Sequence, residues 1–193
     1  MLVIAHRGAE LRENTLPAFE RAIELGADYL ELDVWHGTVV THDRPVPGTS
    51  YPTLAEAIEV CRGRIGLMVE VKRPRGDDVL RTLELLEDDD VLVSFSRAAV
   101  TQARALRPRL RTVQHVGFGV SIRAAREAWA VGFHDSRVTR RGIATARSYG
   151  LEPLVYTVND AARMRELDAL GIAGIFTDRL DLALPLFRAA ARP

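Results

Sequence analysis

The chain has 193 residues, length enough for one sizeable core, and 47% of them are hydrophobic against 27% charged, the balance of a globular domain rather than a disordered or fibrous chain. Its 26 basic and 26 acidic residues cancel to a formal net charge of zero, which excludes a global basic field for nucleic acid or an anionic membrane and leaves room only for a local anion site. A single cysteine, Cys61, excludes an internal disulfide, and no apolar run approaches the length of a transmembrane helix.

The opening Met1-Leu2-Val3-Ile4-Ala5-His6 lacks the charged-then-apolar layout of a secretory leader. A single cytoplasmic domain over residues 1–193 is therefore expected. Leu2 to Ala5 reads as a buried strand, with His6-Arg7-Gly8 at its C-terminal end. Asn14 or Thr15 caps a helix that carries Pro17 in its first turn and ends at Gly26.

The next strand, near Asp28 to Val34, is the pivot of the chain. In Leu30-Glu31-Leu32-Asp33-Val34 the apolar residues take one face and the two acids the other. Two carboxylates aimed the same way repel each other and are costly to bury unpaired. A divalent cation resolves that conflict; the solvated face of an edge strand is the other reading.

Val39-Val40-Thr41 then leads into His42-Asp43, and Arg44 to Pro52 reads as loop. Thr53 caps a helix over Leu54 to Val60, where Cys61 is a packing residue. Further strands are expected at Gly66 to Val71, Val91 to Phe95, Arg111 to Val116, Val131 to His134, Pro153 to Val158 and Gly174 to Thr177. Helices are expected from Asp77, from Ser96, near Ile122 to Ala130, over Thr139 to Tyr149, after an Asn159 cap, and over Leu180 to Ala191, with a loop at Gly117 to Gly119.

Strand-then-helix units repeated eight times favour a closed (β/α)8 TIM barrel, compact at this length. An open doubly wound sheet is the alternative, but its G-x-G-x-x-G after the first strand is absent.

A barrel of this kind places its chemistry at the C-terminal ends of its strands. Those ends carry His6-Arg7, Glu31 and Asp33, His42-Asp43, Glu70 and Lys72, Ser94 and Ser96, Gln114 and His115, His134, Tyr156 to Asn159, and Thr177-Asp178. Glu31, Asp33 and Glu70 would form an open site for one hard cation, Mg2+, Ca2+ or Mn2+. Arg7 and Lys72, the only lysine, are the nearest cations and suit a phosphate. They have structural alternatives as partners of Glu13 and of Glu70 or Glu31. His6 and His42 could flank that phosphate as base and acid. His115, His134 and Trp129 read as bystanders or core, and Trp35 either lines the mouth or packs inside.

His6-Arg7-Gly8, Glu13-Asn14-Thr15 with Ala18-Phe19, Glu31-Leu32-Asp33-Val34 and His42-Asp43 together resemble the glycerophosphodiester phosphodiesterase family. So do Pro52-Thr53-Leu54, Val69-Glu70-Val71-Lys72, Thr157-Val158-Asn159 and Gly174-Ile175-Phe176-Thr177-Asp178. The resemblance implies a (β/α)8 barrel with one divalent cation on Glu31, Asp33 and Glu70. It makes His6 and His42 general acid and base, and gives Arg7 and Lys72 to the phosphate. The implied reaction cleaves a small-molecule glycerophosphodiester to glycerol 3-phosphate and an alcohol, through a cyclic phosphate that water opens. A lysophospholipase D or phosphoinositide-type activity, or a non-catalytic phosphoester-binding barrel, are the alternatives. The family's helical insertion after His42-Asp43 is reduced here to Arg44–Pro52, so the alcohol side of the site should be open.

Overall fold

A computed structural model describes residues 1–8, 12–117 and 120–188. Nine strands form one sheet among these residues: β1 (Leu2–His6), β2 (Tyr29–Trp35), β3 (Val39–Val40), β4 (Gly66–Val71), β5 (Val91–Ser94), β6 (Arg111–Val116), β7 (Ala130–His134), β8 (Glu152–Tyr156) and β9 (Gly174–Thr177). β1 pairs in parallel with both β2 and β9, which closes the sheet. All the other neighbours are parallel too, except the short β3, which runs antiparallel to β2 outside the ring. The closed eight-stranded parallel ring with flanking helices is the (β/α)8 barrel that the alternating units imply.

The helices are α1 (Leu16–Leu25), α2 (Leu54–Cys61), α3 (Asp78–Leu85), α4 (Arg97–Leu106), α5 (Arg140–Ser148), α6 (Ala161–Ala169) and α7 (Leu180–Arg188). Period-2 alternation divides the core between two layers. Leu30, Leu32 and Val34 of β2 face outward and pack with helix residues such as Phe19, Ala22 and Leu54. Ile4, Met68, Val91, Val93, Val113, Leu154 and Phe176 fill the barrel interior. Glu31 and Asp33 share the inward face, so the strand that opens to solvent in the alternative reading is fully enclosed. Cys61 is buried in the outer layer, and burial pushes its thiol up to about 12.

Several local expectations hold with changed detail. Thr53 and Glu56 form a reciprocal capping box on α2, and Ser96 and Thr139 cap α4 and α5. Thr15 stands at the start of α1 but makes no side-chain cap. The cap of α6 is Asp160, which accepts from the Arg163 amide, and not Asn159. The helix expected near Ile122 to Ala130 is a 3-10 turn at Ile122–Ala125, with β7 already under way at Ala130. Residues 120–129 lead down to the start of β7, and a 3-10 helix rises about 2.0 Å per residue against 1.5 Å in an α-helix, so it covers that descent in fewer residues. The end of the expected 117–119 loop and the last residues of the helix drawn to Ala191 lie outside the described residues.

Residues 41–52 hold no helix. The excursion is pinned at its base, where the Val40 amide donates to Pro52 O and Leu54 to Thr38 O. No helix among the described residues is long and apolar enough to cross a membrane.

Candidate active site

β2 and β4 are adjacent and in register, with Asp33 opposite Glu70. That register brings three carboxylates to one place: Glu31, Asp33 and Glu70 each offer an oxygen within 4.8 Å of the others. All three are buried, with 2%, 1% and 6% exposure. Burial, and then the negative charges of Asp33 and Glu70, push the Glu31 carboxyl well above the ordinary range. Burial also raises Glu70, against the opposing pull of Lys72.

Two cations enter the cluster. Arg7 Nε lies 3.0 Å from Asp33 Oδ2, and Lys72 Nζ lies 3.0 Å from Asp33 Oδ1 and 2.9 Å from Glu70 Oε1. The Arg7 amide donates to Glu31 Oε2 at 3.1 Å. Three carboxylates against two cations leave a net negative charge. Asp33 Oδ1 accepts no aligned hydrogen bond despite its ion pair. An all-oxygen donor set with surplus negative charge and an unsatisfied buried oxygen fits a hard divalent cation. The structural alternatives for Arg7 and Lys72 are also realised, since Arg7 Nη1 reaches Glu13 at 2.8 Å. Pairing with acids and facing a phosphate are compatible at this spot.

The turn after β1 sets the Arg7 position. Arg7 and Asn14 both adopt left-handed backbone, each at φ 55. Gly8 follows at φ 104, where a Cβ would come within 2.6 Å of the Ala18 Cβ, so glycine lets the turn press against α1. Asn14 is buried and clamps Asp33 from both ends of its amide. Its Nδ2 donates to Asp33 Oδ2 at 2.9 Å, and its Oδ1 accepts from the Asp33 amide at 3.1 Å. That commitment explains why Asn14 does not cap α1.

His6 stands at the end of β1 beside Glu31 in the pairing register. Its Nδ1 lies 2.7 Å from Asp178 Oδ1. Asn159 holds the same carboxylate: Nδ2 donates to Asp178 Oδ2 at 2.6 Å, while Oδ1 accepts from the Asp178 amide and the Thr177 hydroxyl. Burial works against the Asp178 charge, but the bonds from His6 and Asn159 outweigh it and keep the carboxyl below its ordinary value. An ionised Asp178 can only accept, so His6 Nδ1 carries the proton and Nε2 is left for other partners. His42 Nδ1 pairs with Asp43 at 3.0 Å, but that carboxylate is 93% exposed and restrains the ring less. The Trp35 indole donates to His42 O at 3.1 Å, which ties the segment after β3 to the barrel. His42, Trp35, Glu70 and Lys72 border one cavity of about 550 Å³.

Beside Glu70 sits His115, 3% exposed on the inward face of β6, with its Nε2 4.0 Å from Glu70 Oε2. Its ring lies 4.3 Å from Tyr156, 4.9 Å from Phe95 and 5.5 Å from Phe176, centre to centre. Burial, followed by the Lys72 charge, lowers it to about 3, so it is neutral. His134 is exposed and bonds Ser136, and Trp129 stacks under Arg111 at the opposite end of the barrel interior.

The structure thus gathers Arg7, Glu31, Asp33, Glu70 and Lys72 tightly, with His6 on one flank and His42 on the cavity side. Sequence reasoning left Asn14, Asn159 and Asp178 without site roles. The signal available for them was membership in the ordered motif set, not any property of the residue types. Residues 6–46 and 91–182, more than half of the chain, match the model of the glycerophosphoryl diester phosphodiesterase family. The chain belongs to that family.

Its relatives include YhdW of Bacillus subtilis, 27% identical, with 95% of this chain and 97% of that one covered. A glycerophosphodiester phosphodiesterase of Caldanaerobacter subterraneus is 26% identical over 97% of this chain and 98% of its own. Among solved structures, an Oleispira antarctica phosphodiesterase in complex with its product sn-glycerol-3-phosphate superposes with a TM-score of 0.85. It is 23% identical and 97% of each chain is covered, which establishes the shared fold. The alignment with YhdW runs over 235 positions, more than this chain has residues, so the relative carries insertions. The stretch that the phosphodiesterase family model leaves unmatched, 47–90, begins inside the shortened excursion after His42-Asp43. It also contains Glu70 and Lys72, which the barrel register nevertheless delivers to the site.

Proposed function

We propose that this protein hydrolyses glycerophosphodiesters to glycerol 3-phosphate and an alcohol. The observation that carries the reading is the meeting of three buried carboxylates and two cations at the C-terminal end of the barrel, with a histidine on either side. Glu31, Asp33 and Glu70 would hold one divalent cation, Mg2+, Ca2+ or Mn2+, which supplies Lewis-acid stabilisation of charge on the phosphoryl oxygens. Arg7 and Lys72 orient the phosphate and balance its charge. One imidazole, of His6 or His42, takes the proton from the attacking glycerol hydroxyl. The other gives a proton to the departing alkoxide. The two exchange roles when water opens the cyclic phosphate, since each step leaves both histidines in the state that the next requires.

Turnover of glycerophosphocholine tests this reading. His6→Ala and His42→Ala should each lower kcat by about 10²- to 10⁴-fold, the usual worth of a positioned acid or base. Near-full activity in both variants would end the acid–base assignment. Full turnover in a strong chelator would end the role of the cation, and binding without turnover under every metal tried would favour a phosphoester-binding barrel.

A further inference from the structure

We infer that the cavity beside His42 receives the alcohol arm of the diester and selects arms bearing a second anionic group, a carboxylate or a phosphate. The inference rests on the phosphodiesterase reading above and names the substrate class within it. The cavity, about 550 Å³, runs from Glu70 and Lys72 past His42 to Arg44 and Arg73 at its mouth, a size suited to a small ligand. His42 lies on its wall and His6 does not. An ester arm extending from the acidic cluster into this space would leave phosphorus as the alkoxide that takes its proton from His42.

Charge decides what that arm can carry. On the wall, Glu70 is paired with Lys72 at 2.9 Å and Asp43 with His42 at 3.0 Å. Arg44 and Arg73 are exposed and form no hydrogen bond or ion pair with a described residue. With a neutral His42, Asp43 and Glu70 stand against Lys72, Arg44 and Arg73, so the lining carries one surplus positive charge, and the two free guanidinium groups bring it to the mouth. An ammonium-bearing arm meets like charge there, whereas a carboxylate or phosphate meets two planar donor forks that match its geometry. Arg73 holds a left-handed backbone at φ 40, a conformation that side-chain-bearing residues rarely adopt. The short excursion at 44–52 leaves both arginines uncovered. Trp35 and the half-exposed Phe95 supply an apolar wall for the carbon chain. Aromatic walls alone would favour a quaternary ammonium, so the two effects predict opposite preferences.

Matched substrate pairs separate them. Glycerophosphoserine differs from glycerophosphoethanolamine by one carboxylate, and a terminally phosphorylated glycerophosphoglycerol differs from its parent by one phosphate. The wild-type kcat/KM should favour the more anionic member of each pair by roughly tenfold, as expected of charge-assisted contacts at a half-open site. The ratio should shrink with added salt. It should fall close to one in an Arg44→Gln, Arg73→Gln double variant and be partly kept in Arg73→Lys. The carboxylate and phosphate pairs show separately which anion is preferred. A wild-type ratio at or below one in both pairs, or a ratio indifferent to the double variant, overturns the inference while leaving the phosphodiesterase reading intact. Turnover of none of the four compounds under any divalent ion overturns both.

Discussion

His6 and Asp178 lie 172 residues apart in sequence, and their side chains meet at 2.7 Å. Closure of the ring between β1 and β9 makes that contact, and Asn159 fixes the carboxylate from its other oxygen. An ionised carboxylate on Nδ1 sets both the tautomer and the direction of an imidazole. Asp178→Ala should therefore lower kcat by one to two orders of magnitude, within the acid–base contribution of about 10²–10⁴. KM and Tm should change little. Asn159→Ala should act in the same direction and more weakly. Steady-state kinetics beside a thermal melt decide the matter: a loss confined to Tm, with kcat intact, would make Asp178 a structural brace only.

The carboxylate cluster makes stability depend on pH. Glu31 and Glu70 both have raised carboxyls in the folded chain. A raised carboxyl binds its proton more tightly when folded, so its favourable contribution is complete below its ordinary value of about 4.5 and is lost as pH climbs through the raised value. The Tm of the metal-free protein should be higher near pH 4.5 than at alkaline pH, and added Mg2+ should raise it more at the alkaline end. Glu31→Gln should flatten both trends. Calorimetry with and without chelator measures this, and equal melting at both pH values would contradict the cluster.

Asn14 offers a cleaner separation of backbone from side chain. Its left-handed backbone suits glycine equally well, so Asn14→Gly keeps the turn and removes only the two bonds to Asp33. Asp33 then loses buried donor and acceptor partners, a cost of about 1–3 kcal/mol. Chemical denaturation should register that loss, and isothermal titration with Mg2+ should show weaker binding. An unchanged cation affinity would mean that Arg7 and Lys72 suffice to hold Asp33.

Gly132 on β7 makes room for His115 on β6. A Cβ at Gly132 would stand 2.0 Å from His115 Nδ1, closer than any contact allows. Gly132→Ala should destabilise by about 1–3 kcal/mol through overpacking. The penalty should largely vanish in a His115→Ala background, since the two positions share one space. Additive effects in that double-mutant cycle would show that the strand, rather than the imidazole, resists the methyl group.

The sequence by itself determined which face each strand shows. Alternation in Leu30 to Val34 and in Val69 to Lys72 follows from the two-residue period of an extended backbone, which neighbouring residues settle among themselves. Once eight strand–helix units imply a barrel, the polar strand ends must gather at one rim, so the acids, both cations and both histidines were legible as candidates. Only the tertiary structure decided that Asn14 turns from its helix to Asp33, that Asp178 holds His6, that His115 lies in a notch left by Gly132, and that the 122–130 segment shortens to a single 3-10 turn. Each of these depends on ring closure and register between segments distant in sequence, which local periodicity does not encode.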